Sequence, residues 1–502
     1  MRGIPSLISD IRKKVFTEVA RMAYNGGDYS HAEELPFVIV PGDMPRHRDS
    51  VFLERAIASE RVRLAMGLSL RPVQTRVLMT DGMEEAAVAE QYYEPPLINI
   101  IPYACHICPT DQYRVTEHCQ NCLAASCQKV CPKDAIYFDN GRSRINPDKC
   151  IRCGKCASAC PYHAIIHLQR PCQVACGVDA IGSDEHGRAK IDQDKCVACG
   201  QCLVSCPFGA IVDKSQIYQV IRSILRGDRL VAIVAPAFVG QFGKHSTPGR
   251  IVTAMKTLGF AETVEVAVGA DICTIEEAKD FLREVPAEMN YMATSCCPSW
   301  HDMVYKFFPT EKDKVSMTLT PMVYTARLMK RKYPGCRVVF VGPCAAKKLE
   351  AIREDIRSDV DFVLTFEELQ AMFEAKGIDF AQLEEASTAN EGTAAGRGFA
   401  VSGGVARAVA DHIKNTRGQE IKTASAEGLR DCRKLMTLAK AGKYDGYLLE
   451  GMACPGGCVA GAGTLLPVDL AAKVVVRYQN ETHRQSPMES PYWNEGDSLE
   501  ES

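Results

Sequence analysis

The sequence predicts a mixed α/β protein. An α/β C-terminal half with mostly parallel sheets follows small cysteine-rich α+β modules and a helical N-terminal region. Three observations predict it. Residues 216–480 alternate short apolar runs with helical patterns, and the runs end in small residues: RLVAIVAPAFV, CRVVFVGPC and DGYLLEGMAC. That alternation is how strands crossed over by helices read, with ligands at the strands' carboxyl ends. Residues 96–215 hold 16 of the chain's 24 cysteines. Residues 1–95 hold none, and carry the helical stretches DIRKKVFTEVARMAY and RDSVFLERAIASERVRLAMGL, joined by the proline-broken ELPFVIVPGDMPRHR.

These divisions give four segments: a helical region, 1–95; a cysteine block, 96–215; an α/β domain, 216–480; and a polar, frayed tail, 481–502. The 502 residues suit roughly three domains. At 46% hydrophobic and 24% charged the composition is that of an ordinary globular protein. A net charge of −3 gives no electrostatic case for nucleic acid or an anionic membrane. No apolar run reaches the ~18 residues of a membrane span; Leu230 to Gly240 is too short and contains Pro236. The opening MRGIPSLISDIRKK lacks the apolar core of a secretory signal, so a cytoplasmic location is expected.

In a reducing compartment so many cysteines point to metal clusters rather than disulfides. Cys150, Cys153, Cys156 and Cys160-Pro161 form C-x2-C-x2-C-x3-C-P, and Cys196, Cys199, Cys202 and Cys206-Pro207 repeat it. This is the bacterial ferredoxin run, whose fourth cysteine binds the cluster of the partner run. A zinc ribbon needs four thiolates per site without this repeated three-plus-one pattern. Cys119, Cys122, Cys127 and Cys131-Pro132 form another run with one extra residue, and Cys172 and Cys176 are the end of a fourth. The tags KDAI, YHAI, GVDAI and FGAI follow the four runs, so the block is four half-modules.

Spacing suggests the pairing. Cys131 to Cys150 is 19 residues and Cys176 to Cys196 is 20, whereas Cys160 to Cys196 is 36. One 4Fe–4S cluster then takes Cys119, Cys122, Cys127 and Cys160, and a second takes Cys131, Cys150, Cys153 and Cys156. A third takes Cys176, Cys196, Cys199 and Cys202. Cys172 and Cys206 need two more ligands, and Cys105 and Cys108 in CHIC are the unassigned thiols of the block. Such clusters carry single electrons, so a redox reaction is expected at one end of the chain of them.

Three motifs remain: TSCCPSW (Thr294 to Trp300), VGPCAAKKLE (Val341 to Glu350) and EGMACPGGCVAGAG (Glu450 to Gly463). They resemble, in order, the three signatures of the iron-only, or FeFe, hydrogenases. The resemblance covers residues 216–480, and the ferredoxin-like block also suits the family, in a monomeric branch without an N-terminal 2Fe–2S domain. It implies a two-lobed H-cluster domain whose cofactor is a 4Fe–4S cube joined to a di-iron unit with CO, cyanide and azadithiolate. Cys297, Cys344, Cys454 and Cys458 would hold the cube, and Cys458 would bridge to the di-iron unit. The glycines around Cys454 and Cys458 would let the cluster sit against backbone.

The resemblance also assigns neighbours. Cys296 would relay protons, since adjacent side chains diverge and Cys297 binds iron. A buried inert thiol is the ordinary reading of such a cysteine outside the motif. Lys347 would anchor a cyanide, although a lysine there would otherwise be a solvated surface charge. Pro236, Ala237 and Met452 would line the pocket. Glu277, Asp280 and Ser316 would carry protons toward solvent, with Glu350 another candidate; acids in a helical pattern such as IEEAKDFL commonly lie at the surface. Gly342, Met322 and Ala237 depart from residues common in the family and leave catalytic bias and oxygen tolerance open. Cys273, Cys336 and Cys432 match no motif and read as core thiols.

The expected function is therefore reversible proton reduction to H2 in the cytoplasm. Electrons would come from a ferredoxin-like carrier and the di-iron unit from maturation machinery, with no nucleic-acid or membrane partner. Two alternatives stand beside it: a hydrogen-sensing homologue, and an iron–sulfur assembly scaffold without the di-iron unit.

Overall fold

The computed structural model describes residues 3–26, 29–86, 94–387 and 391–500. The two expected N-terminal helices are present at Leu7–Tyr24 and Val51–Ala65. Ser6 and Ser50 cap them by accepting from the N–H groups of Ser9 and Leu53, which satisfies donors the first turn leaves open. The first helix is no separate arm. Its Val15, Phe16, Val19 and Ala20 join the core that also holds the large C-terminal sheet.

Eight short strands follow: β1 (Ile98–Ile100), β2 (Gln112–Val115), β3 (Ile136–Asp139), β4 (Arg142–Ile145), β5 (Ile165–Leu168), β6 (Ile181–Ser183), β7 (Ala189–Ile191) and β8 (Ile211–Asp213). All pair antiparallel: β1 with β8, β2 with β5, β3 with β4, β6 with β7. The pairs β2–β5 and β3–β4 close one module around the first two cysteine runs. The pairs β1–β8 and β6–β7 close another around the last two.

The C-terminal half carries two all-parallel sheets. Its strands are β9 (Leu230–Val234), β10 (Glu262–Glu265), β11 (Met292–Ala293), β12 (Arg337–Gly342), β13 (Phe362–Thr365), β14 (Lys422–Glu427) and β15 (Tyr447–Met452). One sheet has the order β10-β9-β12-β13, the other β11-β15-β14. The strands LVAIV and FVLT are buried along their whole length, as parallel strands covered by helices on both faces must be. Each sheet with its helices is one lobe of the expected α/β domain. The helix Ala267–Glu284 packs against the helices Pro321–Lys332 and Gly404–Arg417. Four strand ends, Val234, Ala293, Gly342 and Met452, run directly into Pro236, Cys296, Cys344 and Cys454.

The C-terminal segment differs from the frayed tail its polarity suggests. Helix Gly496–Glu500 docks on Ala267–Glu284 and Pro321–Lys332. Leu499 is buried, Arg327 Nη1 donates to its carbonyl at 2.6 Å, Arg331 pairs with Glu495, and Tyr324 hydroxyl meets Glu500. One buried leucine and three polar anchors suffice, too sparse a signal for periodicity to show. Residues 501–502 of the tail and 1–2, 27–28 and 87–93 of the helical region lie outside the described residues.

Candidate functional site

The four strand ends converge on one cavity. It is lined by Cys296, Cys297, Cys344, Cys454 and Cys458, with Lys347, Pro236, Ala237 and Met452 in the wall. Burial pushes the Cys344 thiol up to about 12, with Cys454 and Cys297 adding to it, and raises Cys458 well above the ordinary thiol range. Four thiols that oppose one another's ionisation would be stabilised as thiolates by a multiply charged metal centre. The donor set therefore fits an iron–sulfur cube. Among the described residues, no three Cys, His, Asp or Glu side chains converge on the geometry of a single ion.

Gly457 and Gly461 line the cavity with backbone, and the glycines of this loop also allow close packing. Side chains at Gly457, Gly461 and Gly463 would not enter the cavity but strike protein: a Cβ would lie 2.5 Å from Ser402 N, 2.3 Å from Pro343 O and 2.4 Å from Thr365 Cβ. They let the Cys454–Cys458 loop press against the Cys344 loop, and that close approach sets the cysteines around one space. Gly342 has a similar explanation. A Cβ there would lie 2.4 Å from Phe340 Cε1, so the Phe340 ring, itself in the cavity wall, occupies that space.

Lys347 is buried, not a surface charge. Its Nζ lies 2.6 Å from Glu350 Oε2 and donates to Thr320 Oγ1 at 3.2 Å, while Thr320 Oγ1 donates to Glu350 Oε1 at 2.6 Å. Burial opposes the ammonium, but Glu350 outweighs it and keeps the lysine charged at the cavity. Glu350 is thus placed as the holder of Lys347. Lys348 is fully buried as well, and its Nζ reaches Asp213 Oδ2 at 2.9 Å, Glu368 Oε1 at 2.8 Å and Lys214 O at 2.7 Å. Arg12 Nη2 extends this network to Asp213 and Glu367 at 3.1 and 2.7 Å.

Glu277 overturns the surface reading of its helix: it is fully buried. Its Oε1 accepts weakly from Ser295 N at 3.4 Å, and its Oε2 has no hydrogen-bond partner. Burial pushes its carboxyl up to about 8, against small opposing contributions from Ser295 N–H and Ser316. Burial also raises Cys296 strongly, with Glu277 next. Ser316 donates no long reach outward by itself, but its Oγ accepts from Thr318 N, and Thr318 Oγ1 donates to Asp280 Oδ2 at 2.9 Å. Asp280 pairs with Arg283 at the surface. Glu277 and Cys296 thus lie near one another inside, and Thr318 touches both Ser316, through its N–H, and Asp280, through its hydroxyl.

Two residues escaped the reading of the motifs. Glu450 is fully buried, and accepts from Gly403 N and Ala406 N at 2.7 and 2.8 Å, capping the helix Gly404–Arg417 beside the site. An acid inside the apolar run LLEGM was the available signal. Gln201, within the last ferredoxin run, donates from Nε2 to Cys454 Sγ at 3.1 Å. Cys199 of that run stands in the cavity wall, and Ser299 Oγ donates to Val197 O at 2.8 Å. The third cysteine set thus abuts the site directly.

Several cysteines of the block lie close together. Cys196, Cys202 and Cys176 act on the half-buried Cys199, and Cys105, Cys108 and Cys206 act on Cys172, whose thiol burial pushes up to about 12. Cys150 and Cys153 act on Cys156. Cys119 Sγ accepts from Ser143 N at 3.4 Å, and Cys127 meets the Ser143 hydroxyl. Cys273, Cys336 and Cys432 are buried core thiols.

Residues 228–462 match the family model described as iron only hydrogenase large subunit, C-terminal domain. Residues 143–166 and 189–212 match the 4Fe-4S binding domain. The chain is iron-only hydrogenase-like. It is 30% identical over 262 residues to the periplasmic Fe hydrogenase large subunit of Nitratidesulfovibrio vulgaris, covering 43% of this chain and 62% of that one. It is 29% identical over 387 residues to iron hydrogenase 1 of Clostridium pasteurianum, covering 66% of this chain and 67% of that one. The iron-only hydrogenase-like chain is also 26% identical over 313 residues to cytosolic iron-sulfur assembly component 3 of Bos taurus, covering 50% and 64%. Among solved structures, FeFe-hydrogenase HydA1 from Chlamydomonas reinhardtii aligns at 23% identity and TM-score 0.46, over 53% of this chain and 88% of that one. The chain thus spans about two thirds or less of these curated relatives. No helix among the described residues is long and apolar enough to cross a membrane.

Proposed function

We propose that the chain is an FeFe-hydrogenase catalysing 2H⁺ + 2e⁻ ⇌ H2. The carrying observation is the cavity that brings Cys297, Cys344, Cys454 and Cys458 together with Cys296 and Lys347. Cys297, Cys344, Cys454 and Cys458 would hold a 4Fe–4S cube, with a di-iron unit bearing CO, cyanide and azadithiolate beside Cys458. When bound, that cofactor supplies the electron storage and the metal site at which protons and H2 interconvert.

The chain's own residues do the rest. Cys296 holds a proton at its Sγ, facing the cavity. Glu277, kept protonated by burial, gives its proton to Cys296 once the thiol has given up its own, and is then reprotonated from the solvent side. Ser316 and Asp280 continue the path toward the surface, where Asp280 is paired with Arg283. Lys347, fixed by Glu350 and Thr320, presents a positive charge to an anionic ligand of the cofactor. Pro236, Ala237, Phe340, Met322 and Met452 exclude water.

Electrons enter from a ferredoxin-like carrier at the module bearing the exposed Cys153 and leave the block through Cys199. Four 4Fe–4S clusters in the block form the path. The modules sit as domains at 96–215, between the helical region and the 216–480 site.

An assembly role without the di-iron unit is the second reading, favoured by the relatives named as iron–sulfur assembly factors. Cys296, the buried Lys347 and Glu277 then have no task. The test is infrared spectroscopy of protein matured with the di-iron cofactor. Bands of metal-bound CO and cyanide support the hydrogenase reading; iron-loaded protein without them supports the assembly reading.

A further inference from the structure

The fourth cysteine set is enclosed by two buried arginines. Arg61 is 8% exposed and Arg170 2%. Their hydrogen bonds go to neutral oxygens: Arg61 Nη2 to Gly209 O at 2.8 Å, Arg170 Nη1 to Gly182 O and Ser183 Oγ at 2.8 and 3.1 Å, and Arg170 Nη2 to Gly187 O at 2.8 Å. Each keeps its Nε buried without an acceptor. Among the described residues neither forms an ion pair with a carboxylate. Arg12, the nearby cation, already takes Asp213 and Glu367.

Buried charges are costly unless compensated. Arg61 lines one cavity together with Arg48, Cys105 and Pro207, the residue after Cys206. Arg170, two residues before Cys172, shares a cavity wall with Cys108. The compensating charge is therefore that of the cysteine set itself. Gly209, just after Cys206-Pro207, keeps the contact open, since a Cβ there would lie 2.9 Å from Arg61 Nη2. The first module is arranged otherwise: its Arg142, Arg144 and Arg152 lie at the surface beside Glu117, Asp139 and Asp111.

The set also sits mid-path. Cys108 shares a cavity wall with Cys150 of the second set, and the short helix Pro171–Val174 that holds Cys172 packs on the helix Gln201–Ser205 that holds Cys202 of the third. We infer that Arg61 and Arg170 are the counter-charges of a 4Fe–4S cluster held by Cys105, Cys108, Cys172 and Cys206, and that they raise its reduction potential so that it relays electrons between the outer and inner clusters. The cluster accepts one electron from one side and gives one to the other, and its net negative charge grows by one on reduction. A fixed positive charge stabilises the reduced form more than the oxidised one, and net charge and exposure are what set such potentials. A buried cluster without these guanidinium groups would sit too low to be filled.

The inference rests on the four-cluster reading, and two sets of variants of the full, cluster-loaded chain keep the two apart. Removing both Cys105 and Cys108 (Cys105→Ser with Cys108→Ser) must abolish one cluster signal in electron paramagnetic resonance; if all signals persist, the four-cluster reading itself fails. Redox titration of Arg61→Gln and Arg170→Gln then follows that signal. Each is expected to shift its oxidised-to-reduced ratio about tenfold toward oxidised, ~59 mV for one electron, while Arg61→Lys and Arg170→Lys stay near wild type and the other clusters are unmoved. An unchanged midpoint in both glutamine variants overturns the inference. So does a folded glutamine variant that lacks this cluster alone, because the arginines would then serve assembly. Should neither glutamine variant fold, the half-exposed Arg48→Glu gives the Arg61 charge a carboxylate neighbour. It must lower the same midpoint, and no shift there overturns the inference.

Discussion

At the scale of single residues, Cys296 and Cys297 are neighbours with opposite expected behaviour. Cys297→Ala removes one of four thiols around the cavity, and cluster assembly should fail. Cys296→Ala should leave the infrared spectrum of the matured protein intact and lower turnover roughly 10²–10⁴-fold, the usual contribution of a positioned proton carrier. Wild-type hydrogen evolution in Cys296→Ala would remove the relay role and favour the sensing alternative. Glu277 makes the pH dependence explicit. Its carboxyl is pushed from an ordinary 4.5 to about 8 by burial, so it is neutral in the folded protein at pH 7 and ionises only as the pH rises through about 8. The protonated carboxyl band in an infrared difference spectrum should fade over that range and be missing in Glu277→Gln. A carboxyl already ionised at pH 6 would contradict the assignment. Lys347 and Cys296 were legible from the motifs. The burial of Glu277 was not, because a helix with acids at adjacent positions reads as surface until its packing partners on both sides are known.

At the scale of elements, the site depends on loops pressed together by missing side chains. Gly461→Ala places a methyl 2.3 Å from Pro343 O, and should destabilise by about 1–3 kcal/mol through overpacking, measured as a drop in thermal midpoint of the cluster-loaded protein. A neutral outcome would mean the Cys454 and Cys344 loops can separate freely. Lys348→Met should be worse. It leaves Asp213 and Glu368 buried without their ammonium, and removing one partner of a buried pair costs about 3–5 kcal/mol. The apolar runs of β9, β12 and β15 were readable because buried parallel strands are apolar throughout. The docked segment 481–500 was not, since Leu499 and its arginine contacts carry no period. Nor was the role of the glycines around Cys454. A glycine pattern signals close approach but not what approaches, and here it is the backbone of Pro343 and Ser402.

At the scale of the whole molecule, the proposed chain is a series of cysteine sets leading to the cavity, and Arg12 of the first helix ties together Asp213 of the cysteine block and Glu367 of the α/β half. Full loading should give about 22 irons per chain, and about 20 without the di-iron unit. About 14 irons in fully occupied protein would leave room for only two clusters in the block. Most of this plan was visible in the spacing of the cysteines, because cluster ligation fixes local spacing in the chain. The contact of Gln201 with Cys454, which joins the line to its end, was not, because it spans two domains. The central claim is catalysis at that end. It is tested most directly by hydrogen evolution from reduced ferredoxin by the chain matured with the di-iron cofactor. Sustained turnover that Cys297→Ala abolishes is the predicted result. Fully iron-loaded, matured protein that evolves no hydrogen and consumes none would contradict it.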